Sequence, residues 1–155
     1  MKKNFKLLIG THNNGKFREI SKLISKKIKK VSPKSLNISA PIETGKTFQS
    51  NSKLKVNFFY KRSNLVSLSD DSGLEVLALN KKPGIYSARW AKQNGSFKKA
   101  MLIILKKIQS KKNRRARFVC SLSAKLNKNK TITTVGVING NISYKMLGTK
   151  GFGYD

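Results

Sequence analysis

Phe5-Lys6-Leu7-Leu8-Ile9-Gly10-Thr11-His12-Asn13-Asn14-Gly15-Lys16 joins a short apolar run to a polar turn and a lysine. The run is too short for a helix and closes on a glycine, so residues 5–10 read as a buried strand. Phe17, Ile20, Ile24 and Ile28 then recur at helical spacing with lysines on the opposite side, which predicts a helix after the loop. Strand, tight loop and helix in that order point to an α/β domain.

The rest of the chain extends this reading. A turn at Ser32-Pro33 and a short strand over 36–38 lead to Pro41-Ile42-Glu43-Thr44-Gly45. Thr47 stands where it can cap a second helix running to about Arg62, and Asn51 and Lys55 share one face of that helix. Residues 65–68 form another short strand that delivers Ser69-Asp70-Asp71-Ser72-Gly73-Leu74-Glu75 at its C-terminal end, where ligand-binding groups collect in α/β sheets. After the turn at 80–84 and the segment 85–91, Phe97, Met101, Ile104, Leu105 and Ile108 mark a third helix. Residues 116–126 and 131–138 are β-rich and flank Asn127-Lys128-Asn129-Lys130, which predicts an antiparallel hairpin. No repeat, low-complexity tract or linker interrupts the chain, so residues 1–155 are expected to form one domain.

Composition narrows the function classes. The 155 residues are 38% hydrophobic, enough to bury a core. Lysine and arginine number 34 against six acids, for a formal charge of +28, which favours polyanions without choosing among them. Lysines are scattered through every segment and arginines are few, a distribution that resembles compositional bias more than a nucleic-acid stripe, so a nucleic-acid partner is not required. No apolar run approaches the roughly 20 residues of a membrane span, and the Met1-Lys2-Lys3 start does not lead into a signal-peptide core. A soluble, unprocessed, cytoplasmic protein with no membrane partner is the expectation. The single Cys120 and single His12 exclude an internal disulfide, a Cys/His zinc cluster and a Ser-His-Asp triad. Any metal must be held by oxygen, which favours Mg2+, with Mn2+ the alternative.

In a chain so poor in carboxylates the adjacent Asp70 and Asp71 stand out, although Asp-Asp-Ser-Gly is also good turn chemistry, and both readings stay open. Glu43 likewise precedes a glycine turn. The loop 11–16 offers the Thr11 hydroxyl, the Asn13 amide, backbone amides at Gly15 and the Lys16 charge to a phosphate, or is an ordinary strand-to-helix turn. It is not a Walker A motif, because Phe17 follows Lys16. Asn51 and Lys55 provide a further amide and cation, and Arg89 beside Trp90 either packs or meets an anion. Glycines flanking Phe152 would let a flat ligand approach, with Asp155 accepting from its edge; the bland alternative is a glycine-rich loop.

Taken in order, residues 10–16, Glu43-Thr44-Gly45-Lys46-Thr47-Phe48, Asn51 with Lys55, residues 70–76, Pro83-Gly84-Ile85-Tyr86-Ser87-Ala88-Arg89, Ala116-Arg117-Phe118 and Gly151-Phe152-Gly153-Tyr154-Asp155 resemble the Ham1/RdgB-type family of pyrophosphatases for non-standard purine nucleoside triphosphates. The resemblance implies a long mixed sheet flanked by helices, in two lobes with a central cleft. It also implies a homodimer and a Mg2+-dependent conversion of ITP, dITP or XTP to the monophosphate and pyrophosphate, which cleanses the nucleotide pool. Asp71 matches the family's proton acceptor and metal ligand, with Glu43 and Asp70 as further acidic positions at the metal. Thr11, His12, Asn13, Asn14, Gly15 and Lys16 match the triphosphate loop, Asn51, Lys55, Ser72 and Arg89 further substrate positions, and Phe152, Gly153, Tyr154 and Asp155 the base-holding segment.

Departures are local. Ser50 stands where the family commonly has Glu, Ser52 where it has Ala, and His12 where it has Gly. The family pattern continues past Gly-Phe-Gly-Tyr-Asp into a strand, a helix and a Ser-His-Arg motif that this sequence does not include. The rival expectation is a lysine-rich nucleotide- or nucleic-acid-binding protein of the same fold with impaired catalysis. Maf-like pyrophosphatases share the fold, but Ser87-Ala88-Arg89 and residues 151–155 argue for the first family.

Overall fold

The computed structural model describes residues 5–148 together with 153 and 154. Six strands join one sheet: β1 (Lys6–Ile9), β2 (Lys29–Val31), β3 (Val66–Val76), β4 (Lys82–Pro83), β5 (Arg115–Lys125) and β6 (Thr131–Asn141). Their order is β2-β1-β3-β5-β6, with β4 beside β3. β1 runs parallel to β2 and β3, whereas β4 is antiparallel to β3, so the sheet is mixed as expected. The helices are α1 (Asn14–Leu23), α2 (Phe48–Ser63), α3 (Ser87–Gln93) and α4 (Phe97–Lys107).

The chain divides into two compact units, one comprising Met1–Asp71 with Ser121–Val135 and the other Ser72–Cys120 with Gly136–Asp155. In the first unit Leu8 and Ile9 of β1 and Phe48, Val56 and Phe59 of α2 are buried. Gly10 ends β1 as a glycine because a Cβ there would lie 2.3 Å from Ser69 Oγ and 2.4 Å from the Phe59 ring. The second unit has its own core of Leu74, Val76, Ile104, Ile108 and Ala116, with Trp90 and Tyr154 packed against it. Burying side chains of this size contributes roughly 1.5–3 kcal/mol each.

Several elements differ from the sequence expectation. The first helix stops at Leu23, short of Ile28, because Ile24 is extended and Ser25 turns the chain. Its hydroxyl accepts the Lys27 N–H at 3.3 Å and its carbonyl the Ile28 N–H at 3.1 Å, a local bond that competes with the helix. The released lysines form β2, with Lys6 opposite Lys29 and Leu8 opposite Val31. The strand expected over 36–38 is a 3-10 turn at Lys34–Leu36, closed by Asn37 at φ 53° and by the Ile38 N–H on the Pro33 carbonyl. Residues 87–93, expected only as part of the segment 85–91 without regular structure assigned, form the helix α3.

The largest correction concerns β3, which does not end at Leu68 but runs through the acidic pair to Val76. Asp70 and Asp71 are nearly fully buried. Turn chemistry loses here because both carboxylates find partners across the fold, so the polar stretch stays extended. Gly73 belongs to the strand for a packing reason, since a Cβ would lie 2.3 Å from the Gly84 carbonyl oxygen.

Candidate active site

Consecutive residues of a strand point to opposite faces, so Asp70 and Asp71 are presented to different helices. Asp70 Oδ2 accepts from Lys16 Nζ at 2.7 Å, a lysine in the first turn of α1. Asp71 Oδ2 accepts from Asn51 Nδ2 at 3.0 Å, and its Oδ1 lies 3.9 Å from Lys55 Nζ, both on α2. Lys55 Nζ also donates to Glu43 Oε1 at 2.8 Å. The first unit therefore gathers Glu43, Asp71, Lys55 and Asn51 into one cluster and pairs Asp70 with Lys16 beside it.

The loop of residues 11–16 is fixed from within. Asn13 caps α1, its Oδ1 accepting from the Gly15 and Lys16 N–H groups at 2.8 and 3.1 Å, while its own N–H donates to Thr11 Oγ1 at 3.1 Å. An N-capped helix start preceded by a hydroxyl favours an anion. His12 sits away from this arrangement, its Nε2 2.9 Å from the Ile38 carbonyl oxygen and its ring tilted against Phe59.

α2 is started by a capping box. Thr47 Oγ1 accepts the Ser50 N–H and Ser50 Oγ accepts the Thr47 N–H, both at 3.0 Å. Ser50 thus fills at the third helical position the role that a glutamate fills in a capping box. Ser52 joins a buried hydroxyl cluster, 2.9 Å from Ser121 Oγ and 2.8 Å from Ser123 Oγ, which explains how a polar residue is accommodated there.

Electrostatics single out Asp71. Burial pushes its carboxyl above the usual carboxylate range, the Lys55 ammonium and the Asn51 amide pull it back, and Glu43 adds to the rise. Among the described residues, no group of three or more His, Cys, Asp or Glu side chains assembles a metal cage by itself. Magnesium rarely uses such a cage and is held by one or two carboxylates together with substrate phosphates. Glu43 and Asp71 converge on one ammonium group, so hard oxygen donors already meet at a point of positive charge, and the donor set fits such an ion.

The second unit contains Ser72, Arg89, Gly153 and Tyr154. Arg89 donates to the Ile85 carbonyl at 3.3 Å and lies over the Tyr86 ring. Tyr154 donates its hydroxyl to the Ser87 carbonyl at 3.0 Å and meets Phe97 edge-on, and burial pushes its phenol up to about 12. Glu75, not read as a site residue, accepts from Arg117 Nε at 2.6 Å. Phe152 and Asp155 lie outside the described residues. Sequence reading also missed Gly45, whose N–H donates to Asn51 Oδ1 at 2.8 Å; its place two residues after Glu43 was the available signal.

Residues 7–155 match the model of the Ham1 family. The chain belongs to the Ham1 family. Family relatives include a dITP/XTP pyrophosphatase of Zymomonas mobilis, 39% identical over 154 residues that cover 97% of this chain and 74% of the relative. A dITP/XTP pyrophosphatase of an Exiguobacterium species is 40% identical over 152 residues, covering 97% and 78% respectively. Among solved structures, a HAM1 protein from Coxiella burnetii aligns with a TM-score of 0.88 at 30% identity, covering 97% of this chain and 79% of that one. The Staphylococcus aureus Ham1 protein aligns at 0.85 with 36% identity, covering 97% and 78%. The mixed sheet and four helices are thus those of a Ham1 fold. Among the described residues no helix is long and apolar enough to cross a membrane.

Proposed function

We propose that the protein hydrolyses non-standard purine nucleoside triphosphates, dITP, XTP and ITP, to the monophosphate and pyrophosphate. The observation that carries this reading is Lys55 Nζ set between Glu43 Oε1 and Asp71 Oδ1, in a chain whose relatives are dITP/XTP pyrophosphatases. In the reaction a water oxygen bonds to phosphorus as the bridging P–O bond between the α and β phosphates breaks. Asp71, its proton affinity raised by burial, takes the proton that the water gives up. Lys16 and Lys55 face the negative charge of the triphosphate, and the start of α1 supplies backbone N–H groups to it. Asp70 holds Lys16 in place.

Magnesium, with manganese as substitute, would be held by Asp71 and Glu43 with Asp70 nearby, and when bound it neutralises phosphate charge. Ser72 and Arg89 are assigned to the substrate, and Phe152, Gly153, Tyr154 and Asp155 to the purine. With its phenol pushed up to about 12, Tyr154 stays protonated and keeps donating to Ser87 at working pH. The protein acts as a cytoplasmic homodimer, the association state being open to sedimentation equilibrium.

Product analysis tests the reaction. Phosphorus NMR of a dITP digest is expected to show monophosphate and pyrophosphate appearing together. Release of inorganic phosphate with the diphosphate left behind would place the cut at the wrong anhydride and refute the reading.

A further inference from the structure

We propose that Asn51 is a positioning residue that ties the strand carrying Asp71 to the loop carrying Glu43, and does not itself contact substrate. This inference rests on the pyrophosphatase reading above. Asn51 is fully buried in the first turn of α2, where its N–H donates to the Thr47 carbonyl at 3.1 Å. Both ends of its carboxamide are engaged. Oδ1 accepts the Gly45 N–H at 2.8 Å and Nδ2 donates to Asp71 Oδ2 at 3.0 Å. The orientation of the amide is fixed by chemistry, because a backbone N–H can only donate and an ionised carboxylate can only accept.

Gly45 shows how closely the loop is drawn onto this side chain. A Cβ at that position would lie 2.5 Å from Asn51 Oδ1 and 2.9 Å from Asn51 N. One helical turn further on, Lys55 spans the same two segments through Glu43 and Asp71. α2 therefore joins them by two rungs, one neutral and directional, the other cationic. The cationic rung is the one that phosphates compete for when substrate arrives. The neutral rung, buried and with no charge to give up, keeps the two carboxylates in register during that exchange. Only asparagine fits the position: aspartate has no donor, leucine has neither group, and glutamine is one methylene too long.

Three variants test this, Asn51→Asp, Asn51→Leu and Gly45→Ala, each measured for dITP turnover and, without nucleotide, for Mn2+ affinity by titration under electron paramagnetic resonance. Groups that orient metal-binding carboxylates typically control affinity or activity by about 10- to 100-fold, and a fall in kcat of that size is expected in all three. KM for dITP should stay within about threefold of the parent, since no ground-state contact is removed. Mn2+ affinity should weaken by about tenfold or more in each. Gly45→Ala combined with Asn51→Leu should be little worse than the more severe single variant, because both break one link.

A raised KM with unchanged kcat would overturn the proposal by making Asn51 a substrate contact. Should Asn51→Leu fail to fold, Asn51→Asp retains the shape and the acceptor for Gly45, and Gly45→Ala retains the whole side chain. If the parent releases no pyrophosphate the functional reading fails by itself, while unchanged Mn2+ affinity in Asn51→Asp would still refute the clamp.

Discussion

Burial raises the proton affinity of the Asp71 carboxyl while Lys55 and Asn51 lower it, and burial prevails. A carboxylate in that state is a stronger base than a solvated one. It also has a stability consequence with a definite sign. Because the native pKa lies above the unfolded value, the folded chain holds its proton to higher pH, and stability is lost as pH rises through the native pKa. Asp71→Asn removes that loss. With EDTA present, the variant should melt at or above the parent temperature at pH 8, and the gap should close as pH falls through the native Asp71 pKa. A variant that melts well below the parent at pH 8 would mean that the ion pair with Lys55 outweighs burial. Ser52 raises the opposite case of a buried hydroxyl whose partners are all satisfied. Ser52→Ala alone should cost about 1–3 kcal/mol by stranding the Ser121 hydroxyl, whereas Ser123 keeps Thr133 Oγ1 at 2.8 Å, and replacing Ser121 with alanine as well should recover part of it in urea melts.

α2 is the element on which the site depends, since it carries Asn51 and Lys55 within its first two turns. Its start was legible in the sequence: Thr47 reads as an N-cap, and the structure adds Ser50 as the reciprocal partner. Thr47→Ala should cost about 1 kcal/mol. Ser50→Glu should be close to neutral in denaturant melts, because glutamate at the third position completes the same box. A large loss in Ser50→Glu would show that the small side chain has a packing role. The strand, loop and helix at the N-terminus and the hairpin of β5 and β6 were also legible, because local periodicity and turn residues encode them. The course of β3 through Asp70-Asp71-Ser72-Gly73 was not. What keeps that stretch extended is a lysine from α1 and an amide and lysine from α2, all remote in sequence. Locally it still reads as a turn. Asp71, Glu43 and Lys16 stand out by residue type and Lys55 only through the family pattern; that Glu43, Asp71, Asn51 and Lys55 meet, and that Asn51 is engaged at both ends, needed three dimensions.

At the scale of the molecule the charges are unevenly spent. Among the described residues Glu43, Asp70, Asp71 and Glu75 each lie against a lysine or arginine, so these acids are committed to specific pairs within a chain of net charge +28. Much of the lysine surplus is left to repel itself, which opposes compaction. Raising sodium chloride from about 0.02 to 0.3 M shortens the screening length severalfold and should raise the melting temperature. A falling melting temperature would show that the specific ion pairs dominate over the net charge. The same surplus draws triphosphates of every base, so charge alone gives no selectivity, and the proposed turnover rests on the Asp71 cluster. The most direct test is pyrophosphate release from dITP, XTP and ATP, with and without magnesium, by the parent and by Asp71→Asn. Magnesium-dependent release from dITP and XTP but little from ATP is expected, with loss of that release in Asp71→Asn by about a hundredfold or more while the variant still melts cooperatively. Turnover in Asp71→Asn at the parent rate would contradict it.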